Sequence, residues 1–210
     1  GGHNLEDQIL RRRYFPKYAY RGVYLDVGAG DPKYKSNSWH FRQNGWAVYS
    51  IEPNPTQTAK YTEAGFQIIE CGVSDYVGNT NLLVFHMGGR EEGATTLQEN
   101  LDLTYANTET IECNPISVPI NVRTLNDLLE TDLKEIGPID ILDLDIELGE
   151  YKALQKFDIL KYRPKVCLIE DFHRVNVGEP SPIMEFMGRT GIYRLDMKAG
   201  ENCFYVREDV

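Results

Sequence analysis

The sequence predicts an α/β fold in which a mostly parallel central sheet carries an antiparallel hairpin at the carboxyl end of the chain. Short apolar runs alternate with segments of helical periodicity over residues 22–70, in the order strand, helix, strand, helix, strand. This order is typical of parallel βαβ units with right-handed crossovers. Two strand-like runs that flank the turn segment 198–202 predict the hairpin. The chain shows no internal repeat and no linker-like stretch, so we expect a single domain over 1–210.

The predicted strands are apolar runs that end in an acid, a glycine or a proline. The first run, GVYLDV, leads into glycines, and the second is closed by Pro53-Asn54-Pro55. In the run 116–122, apolar residues alternate at every second position, which indicates a half-buried strand. The predicted strands are 22–27, 47–51, 66–70, 81–85, 116–122, 139–145, 165–170, 192–197 and 203–207.

The predicted helices follow the helical apolar period and are bounded by glycines or by capping residues. Gly45 and Gly65 end the first two helices, and Thr124 or Asn126 is expected to cap the third. The polar segment 88–110 has neither period, and a loop of that length in a compact domain is usually functional, so we expect a substrate loop or lid there. The predicted helices are 35–45, 56–64, 124–133, 150–157 and 181–189.

Composition narrows the classes of function. With 22 basic and 32 acidic residues, the formal net charge of −10 repels phosphate backbones and anionic lipid, so neither nucleic acid nor a membrane surface is the expected partner. No apolar run reaches the roughly 20 residues that span a bilayer, and no signal-peptide pattern is present, which favours a cytoplasmic protein. The four cysteines form no CxxC pair, which argues against a zinc ribbon. Residues 1–3 are expected to be the remnant of a tag.

Candidate ligand-binding residues follow the first two strands, because ligands of such folds bind beyond the carboxyl ends of the strands. Asp26 is followed by Gly28 and Gly30, which allow a sharp turn and a close backbone approach to a ligand. A dinucleotide fingerprint requires a third glycine where Lys33 stands. Glu52, after the second strand, is a carboxylate able to accept both hydroxyls of a ribose.

The later strand ends add further acids. The turn 71–75, which contains Asp75, is expected to meet a purine, and Asp145 and Glu170 follow two buried strands. With Asp26 and Glu52, they give a lining that suits a nucleoside with a cationic centre better than a pyrophosphate. S-adenosylmethionine has this character, because its sulfonium is positively charged and it carries no phosphate. The pattern therefore favours methyl transfer over hydride transfer.

The motifs resemble, in order, those of the FkbM-type family of S-adenosylmethionine-dependent methyltransferases over about 23–175. The matching stretches are LDVGAG at 25–30, 36–38, 44–46, IEPNP at 51–55, GVSD at 72–75 with Gly78, 122–128, 139–142, DIE at 145–147, Glu150, Leu154, 163–164 and Glu170. The resemblance implies a Rossmann-like class I methyltransferase fold and O-methylation, most often of a sugar hydroxyl in a glycan or glycosylated product. Some members of the family are fused to glycosyltransferases. The family usually has a lysine where Asp143 stands and a glycine where Leu148 stands.

The strand-end pattern and the resemblance together assign roles to individual residues. Asp145 is the first candidate for the general base, His173 is the second because its titration range suits that role, and Glu170 is a further catalytic candidate. The expected substrate-binding residues are Tyr34, Tyr105, Glu147 and Phe172. The expected cofactor-binding residues are Asp26, Gly28, Ala29, Gly30, Ser38, Glu52, Pro53, Val73, Ser74, Asp75 and Asp145.

Three alternatives stay open. Asp145, Glu147, Glu170 and His173 could hold a divalent cation, although nothing in their spacing demands one and we expect none. A nicotinamide-dependent oxidoreductase would share the fold and is disfavoured by Lys33. A catalytically silent glycan-binding or scaffold module of a longer protein would bind the cofactor without turnover.

Overall fold

The computed structural model describes residues 2, 4–85, 95–100, 115–172 and 179–209. The strands are β1 Val23–Val27, β2 Ala47–Ile51, β3 Gly72–Val73, β4 Gly78–Val84, β5 Thr95–Leu97, β6 Ile116–Arg123, β7 Ile141–Leu144, β8 Val166–Glu170, β9 Tyr193–Ala199 and β10 Asn202–Arg207. The helices are α1 Glu6–Ile9, α2 Trp39–Gln43, α3 Pro55–Glu63, α4 Leu125–Glu130, α5 Glu150–Gln155, α6 Ile159–Tyr162 and α7 Pro182–Arg189. A π-helical segment, Leu10–Tyr14, continues α1, and a 3₁₀ turn, Gln98–Asn100, follows β5.

The larger sheet has six strands in the order β2-β1-β7-β8-β10-β9. The strands β2, β1, β7 and β8 are parallel, and β10 runs antiparallel to both β8 and β9. This topology confirms the predicted α/β fold, with its mostly parallel sheet and its antiparallel hairpin. The chain leaves β1 towards β2 on one side and returns as β7 on the other, so the sheet has its switch point between β1 and β7.

The two faces of this sheet are buried under different helices, and alternate residues of the inner strands point to opposite faces. Leu25 and Val27 belong to a core cluster with residues of α4, α5 and α7. Tyr24, between Leu25 and Val23, packs instead with Phe41 of α2 and with the π-helical segment. Because helices cover both faces, the inner strands are near-continuous apolar runs, which is why the sequence pattern identified them.

A second sheet of four strands, in the order β3-β6-β4-β5, packs over a small core that contains Leu82, Leu97 and Val122. The predicted loop 88–110 is therefore wrong over 95–100, where β5 pairs antiparallel with β4 and the 3₁₀ turn follows. The strand is only three residues long, too short to show a period, and it forms because Leu97 is buried against the second sheet. The remaining residues of that loop lie outside the described residues.

The predicted third strand over 66–70 is reduced to a single parallel bridge between Ile51 and Ile69. Two backbone hydrogen bonds make this bridge, from the Glu52 amide to the Ile69 carbonyl and from the Ile69 amide to the Ser50 carbonyl, both 3.0 Å long. The chain then passes into β3, which pairs with β6 of the second sheet. The run 66–70 is apolar as predicted, but its partner strand β2 ends at Ile51, the residue that pairs with Ile69.

Helix boundaries follow side-chain caps. The side chain of Asn54 accepts from the Thr56 amide at the start of α3, and the Thr124 hydroxyl accepts from the Asp127 amide, which confirms Thr124 as the cap of α4. The helix predicted over 35–45 begins only at Trp39, whose amide donates to the Ser36 hydroxyl at 3.1 Å. Within the described ranges, no helix combines the length and the apolar character that a membrane crossing requires.

Candidate functional site

A cavity of about 200 Å³ lies at the carboxyl ends of β1, β2 and β7, at the switch point of the sheet. The structure brings together here seven of the residues that the sequence predicted. They are Gly28, Gly30, Glu52, Pro53, Val73, Asp145 and Glu147. The second sheet contributes Leu82 and β5 to the wall, and the remaining lining residues are Ile51, Asn54, Gln57, Cys71, Gly72 and Ile146.

Glu52 is the most firmly oriented acid of the cavity. Its Oε2 accepts from the Gly30 amide and its Oε1 from the Asn54 amide, both at 2.8 Å. Only 4% of the residue is exposed, and burial raises the pKa of the carboxyl to about 7 although the two amides favour the ionised form. A carboxylate has about four acceptor positions, so each oxygen can take one further donor. The arrangement suits a ligand with two neighbouring hydroxyls.

The two glycines after β1 serve different purposes. Gly28 has φ +83°, and a Cβ there would lie 1.7 Å from the Asp145 carbonyl oxygen, so glycine is required for β1 and β7 to meet. Gly30 has φ +56°, but no heavy atom lies within 4 Å of its Cβ position. Gly28 therefore serves the packing of the protein itself, while Gly30 leaves open space beside the Glu52 carboxylate.

The loop after Gly30 lacks the features of a pyrophosphate site. Asp31 Oδ1 accepts from the amides of Lys33 and Tyr34 at 2.9 and 2.8 Å, and Asp31 Oδ2 pairs with Lys60 at 3.0 Å. Backbone amides that could bind a phosphate are thus engaged by a carboxylate of the chain. The next helix begins only at Trp39, so no helix N-terminus follows the glycines directly.

Three predicted residues at or near the β1 end, Asp26, Ala29 and Ser38, lie outside the cavity lining. Asp26 is buried, is hydrogen-bonded by Ser38 and faces the charge of Arg42, and burial raises its pKa to about 6. The Ala29 amide donates to the Ile51 carbonyl at 3.1 Å. These residues support the turn between β1 and the cavity.

The turn after β3 presents Val73 to the cavity, while its neighbours bond to the protein. The Ser74 amide donates to the Arg123 carbonyl at 3.1 Å, and the Ser74 hydroxyl donates to Asp75 Oδ1 at 3.2 Å. The Ser74 amide is therefore already hydrogen-bonded within the protein. The side chain of Asp75 is the remaining polar group of this turn that could accept a hydrogen bond from a purine.

Four acids follow β7 and end β8, and we call Asp145, Glu147, Glu150 and Glu170 the acid group. Single oxygens of Asp145, Glu150 and Glu170 all lie within 4.8 Å of one another. Burial raises the pKa of Glu147 to about 7 and that of Glu150 to about 8, and the nearby carboxylates push in the same direction. The chain thus concentrates carboxyl groups where each one disfavours the ionisation of the next.

Within the acid group, Asp145 and Glu170 share a hydrogen bond. Burial, followed by the charges of Asp145, Glu147 and Glu150, raises the pKa of Glu170 far above its ordinary value. Glu170 is therefore the protonated partner at neutral pH and donates to Asp145. The cation hypothesis named Glu147 and His173 beside Asp145 and Glu170, but the structure brings Glu150 to this pair instead, and His173 lies outside the described residues.

Glu150 was not predicted as a site residue, and it reaches the acid group through local geometry. It is the first residue of α5, is 1% exposed, and its Oε1 accepts from the Ile146 amide at 2.8 Å. In the turn between Ile146 and Glu150, Glu147 and Leu148 have φ values of +55° and +69°, a left-handed conformation that favours glycine. The Thr96 hydroxyl of β5 donates to the Glu147 carbonyl at 3.0 Å and holds this turn against the second sheet.

Asp143, the other departure from the family pattern, is buried in the sheet rather than exposed in the cavity. The Tyr24 hydroxyl donates to Oδ2 of Asp143 at 2.6 Å, and the side-chain Nδ2 of Asn37 donates to the same atom at 3.1 Å. Burial raises its pKa well above the ordinary value, and the charge of Asp26 adds to this shift. Tyr24 and Asn37 thus supply the donors that a buried carboxyl group needs.

The predicted aromatic contacts are not assembled on the cavity. The Tyr34 side chain is 54% exposed and Phe172 is 43% exposed, and neither lines the cavity, while Tyr105 lies outside the described residues. The prediction also missed Asn54, whose amide orients Glu52, and Thr96. The Pro53-Asn54-Pro55 segment is typical of the start of a helix. A capping residue next to a strand-end acid is therefore the sequence signal that could have identified Asn54.

The six-stranded sheet, its switch-point cavity and the oriented carboxylate at the end of β2 define a Rossmann-like α/β domain. The chain belongs to the FkbM methyltransferase domain family, because the model described as "Methyltransferase FkbM domain" matches residues 26–195.

A solved structure and the curated proteins give further comparisons. The chain is similar to the crystal structure of methyltransferase FkbM from Methylobacillus flagellatus KT, with 16% sequence identity and a TM-score of 0.47. That likeness covers 92% of this chain but 46% of the other, so the chain spans about half the length of that protein. No curated protein matches the chain significantly.

Proposed function

We propose that the chain is an S-adenosylmethionine-dependent O-methyltransferase that acts on a sugar hydroxyl of a glycan or glycosylated product. The observation that carries the proposal is Glu52, a buried carboxylate that the Gly30 and Asn54 amides orient at the switch-point cavity. Such a carboxylate pairs with the two hydroxyls of a ribose. Membership of the FkbM methyltransferase domain family supports the same conclusion.

The donor set fits this cofactor better than a dinucleotide. The amides of Lys33 and Tyr34 already serve Asp31, so a pyrophosphate would find few free donors, whereas the acids of the cavity suit a positive centre. When bound, S-adenosylmethionine supplies a methyl group on a sulfonium. The residues proposed to hold it are Glu52 and Pro53 at the ribose, Val73, Ser74 and Asp75 at the adenine, and Asp26, Gly28, Ala29, Gly30, Ser38 and Asp145 along the β1–β7 turn.

Asp145 is the proposed general base. Its carboxylate accepts the proton of the acceptor hydroxyl as the new bond to carbon forms, a contribution of roughly 10²–10⁴-fold in rate. Glu170 keeps its own proton and donates a hydrogen bond through it to Asp145, which holds the Asp145 carboxylate in position. His173 stays the second candidate. The remaining rate enhancement comes from holding the acceptor oxygen in line with the methyl group.

The acceptor is proposed to lie on the side of the cavity that Glu147 lines. Thr96 fixes the backbone there, and Glu147 can bind a sugar hydroxyl. Tyr34 and Phe172 do not line the cavity, so of the three predicted aromatic residues only Tyr105 is still proposed to pack its ring on the sugar, since an aromatic face beside polar groups suits a pyranose. Fusion to a glycosyltransferase in a longer chain would supply such an acceptor.

Thermal unfolding with S-adenosylhomocysteine, and with NAD as the control, tests the cofactor. Saturation at about one hundred times Kd adds roughly 2.7 kcal/mol to the free energy of unfolding, so we expect a shift of several degrees with S-adenosylhomocysteine alone. A shift with NAD instead would support the nicotinamide oxidoreductase. No shift with S-adenosylhomocysteine contradicts the proposal.

Turnover separates an enzyme from a silent module. The wild type, incubated with S-adenosylmethionine and a panel of sugars, nucleotide sugars and oligosaccharides, is expected to release S-adenosylhomocysteine with at least one acceptor and to give a product heavier by one methylene unit. Cofactor binding without release across the panel would favour the glycan-binding or scaffold module.

A further inference from the structure

A second cavity, which we call the Arg11 cavity, lies between the amino-terminal helical segment and α2. It measures about 290 Å³ and shares no lining residue with the switch-point cavity. Its lining residues are Asp7, Gln8, Arg11, Arg12, Tyr18 and His40. All but His40 precede the stretch 26–195 that matches the family model, so this cavity is a feature of the chain beyond the family match.

The Arg11 guanidinium forms the floor of the cavity and is short of acceptors. The residue is 2% exposed, and its Nη2 donates to the Lys17 carbonyl at 3.3 Å. Its Nε and Nη1 have no hydrogen-bond partner in the part of the chain that the structure describes. These two nitrogens carry three N–H groups, and buried polar groups of native proteins are almost always paired. A buried charge with free donors therefore indicates an acceptor from outside the described part of the chain.

Asp7, the acid in the cavity, does not fill this role. Its Oδ1 accepts from the Gly2 amide at 3.1 Å, and it makes no hydrogen bond with Nε or Nη1 of Arg11. The face of the guanidinium is covered by the Tyr18 ring, whose centroid lies 4.0 Å from Cζ. A cation–π contact offsets part of the charge but accepts no in-plane hydrogen bond from the guanidinium.

Two further basic groups surround the same space. Arg12 is exposed at the rim, and His40 lines the wall with an Nε2 that has no hydrogen-bond partner among the described residues. Two guanidinium groups against one carboxylate leave the cavity with a positive balance, in a chain whose formal net charge is −10. Several donors and a local positive charge select an anion with more than two acceptor oxygens.

We propose that the Arg11 cavity binds a phosphoryl group, either as free phosphate or as the phosphate of a small metabolite. Guanidinium donors match phosphate oxygens in geometry and charge. His40 adds a further donor when its Nε2 carries a proton. Because Nε and Nη1 are buried, anion binding requires Tyr18, which covers the face of the guanidinium and is 59% exposed, to move aside.

Thermal unfolding of the full chain in potassium phosphate, against potassium chloride and potassium acetate at equal ionic strength, tests the proposal. Phosphate stabilises many proteins by exclusion from their surface, an effect that grows steadily with concentration, so the expected signature is a shift that saturates. Arg12→Ala and His40→Gln are expected to weaken the apparent affinity, Arg12→Ala by about tenfold or more. Arg189→Ala removes an exposed arginine of α7 and should keep the wild-type response.

Arg11→Met probes the central residue, and circular dichroism shows whether that variant folds. If it folds, it is expected to lose the saturable shift. If it does not fold, Arg12→Ala and His40→Gln decide, and an unchanged response in both overturns the proposal. A shift that does not saturate, or one that acetate reproduces, also overturns it. A sugar phosphate that saturates at a lower concentration than inorganic phosphate identifies a phosphorylated metabolite, and equal concentrations identify free phosphate.

Discussion

The two ends of the switch-point cavity treat their buried acids differently. At the β1–β2 end, two backbone amides orient the Glu52 carboxylate, while Asp26 is hydrogen-bonded by Ser38 and faces Arg42. At the β7–β8 end, burial and the charges of other carboxylates raise the pKa of Glu147, Glu150 and Glu170.

This difference separates binding from proton transfer. A carboxylate held by fixed amides presents its remaining acceptor positions in one geometry, which suits recognition of a diol. Carboxyl groups that face each other share protons instead, because like charges at short distance cannot all ionise. We therefore propose that the β1–β2 end holds the ligand and that the β7–β8 end exchanges protons.

Asp145→Asn gives the largest effect expected from this comparison. It removes the proposed base, so kcat should fall by roughly 10²–10⁴-fold while the affinity for S-adenosylhomocysteine changes by only a few fold. The measurements are the rate of S-adenosylhomocysteine release with an acceptor that the wild type methylates, and calorimetric binding of S-adenosylhomocysteine. Asp145 is also proposed to contact the cofactor, so a loss of affinity as large as the loss of rate would show that holding the cofactor is its main role and would break the division between the two ends.

Glu52→Gln tests the opposite end. Hydrogen bonds to a charged group contribute about 1.5–3 kcal/mol, so the affinity for S-adenosylhomocysteine should fall by roughly 10- to 100-fold. Glu63→Gln, on the exposed part of α3, is the matched control and should bind as the wild type does. Unchanged cofactor affinity in Glu52→Gln would remove the ribose role of this carboxylate.

The acid group predicts an inverted pH dependence of stability. Glu147 and Glu150 keep their protons in the folded chain up to about pH 7 and 8, whereas the ordinary pKa of a glutamate is about 4.5. The folded state then binds more protons than the unfolded state, so the free energy of unfolding falls as pH rises through this window. Below about pH 4.5 the contribution is complete, and above about pH 8 it is lost.

Denaturant unfolding at pH 5, 6.5 and 8 measures this dependence. Each pKa unit is worth about 1.4 kcal/mol, so we expect the free energy of unfolding to fall by a few kcal/mol between pH 5 and 8. Glu147→Gln should flatten the slope, and the exposed control Glu63→Gln should leave it unchanged. Stability that rises over this range would show that the acids at the β7–β8 end are ionised and partnered in the folded chain.

The smallest expected effect concerns the turn that carries the acid group. Leu148 has φ +69°, and a left-handed backbone costs a non-glycine residue about 1–2 kcal/mol. Glycine avoids this cost, but the greater conformational entropy of glycine in the unfolded chain offsets part of the gain. Leu148→Gly should therefore raise the free energy of unfolding by up to about 1 kcal/mol. Leu160→Gly, at an exposed position inside α6, should lower it by a similar amount. A clear loss of stability in Leu148→Gly would show that its side-chain contacts outweigh the strain.

The parts of the fold that follow from local sequence were predicted well. The runs that became β1, β2, β7 and β8 are mostly apolar because helices bury both faces of the sheet, with Asp26, Ser50 and Asp143 as buried polar exceptions. Thr124, one of the two predicted caps, accepts from the amide three residues further on, and Ser181, the first residue of a predicted helix, caps that helix in the same way. Each of these features depends on neighbours within a few residues.

The errors occurred where pairing depends on distant segments. The run 66–70 is apolar enough for a strand, but only Ile69 meets a partner, because the chain turns away into the second sheet. Conversely, Thr95–Leu97 shows no strand period. It forms a strand because it pairs with the edge of β4 and because Leu97 packs in the same apolar core as Leu82. Neither outcome can be deduced from the segment alone.

By itself, the sequence determined the α/β order, the acids that end the strands and the absence of a third glycine after β1, because each is a short-range pattern. Only the tertiary structure decided which acids meet. The start of α5 brings Glu150 to Asp145, and the alignment of β8 beside β7 brings Glu170 across 25 positions of sequence. The physical reason is that the protonation of each carboxyl depends on burial and on the charges a few ångströms away, and both are properties of the packed chain.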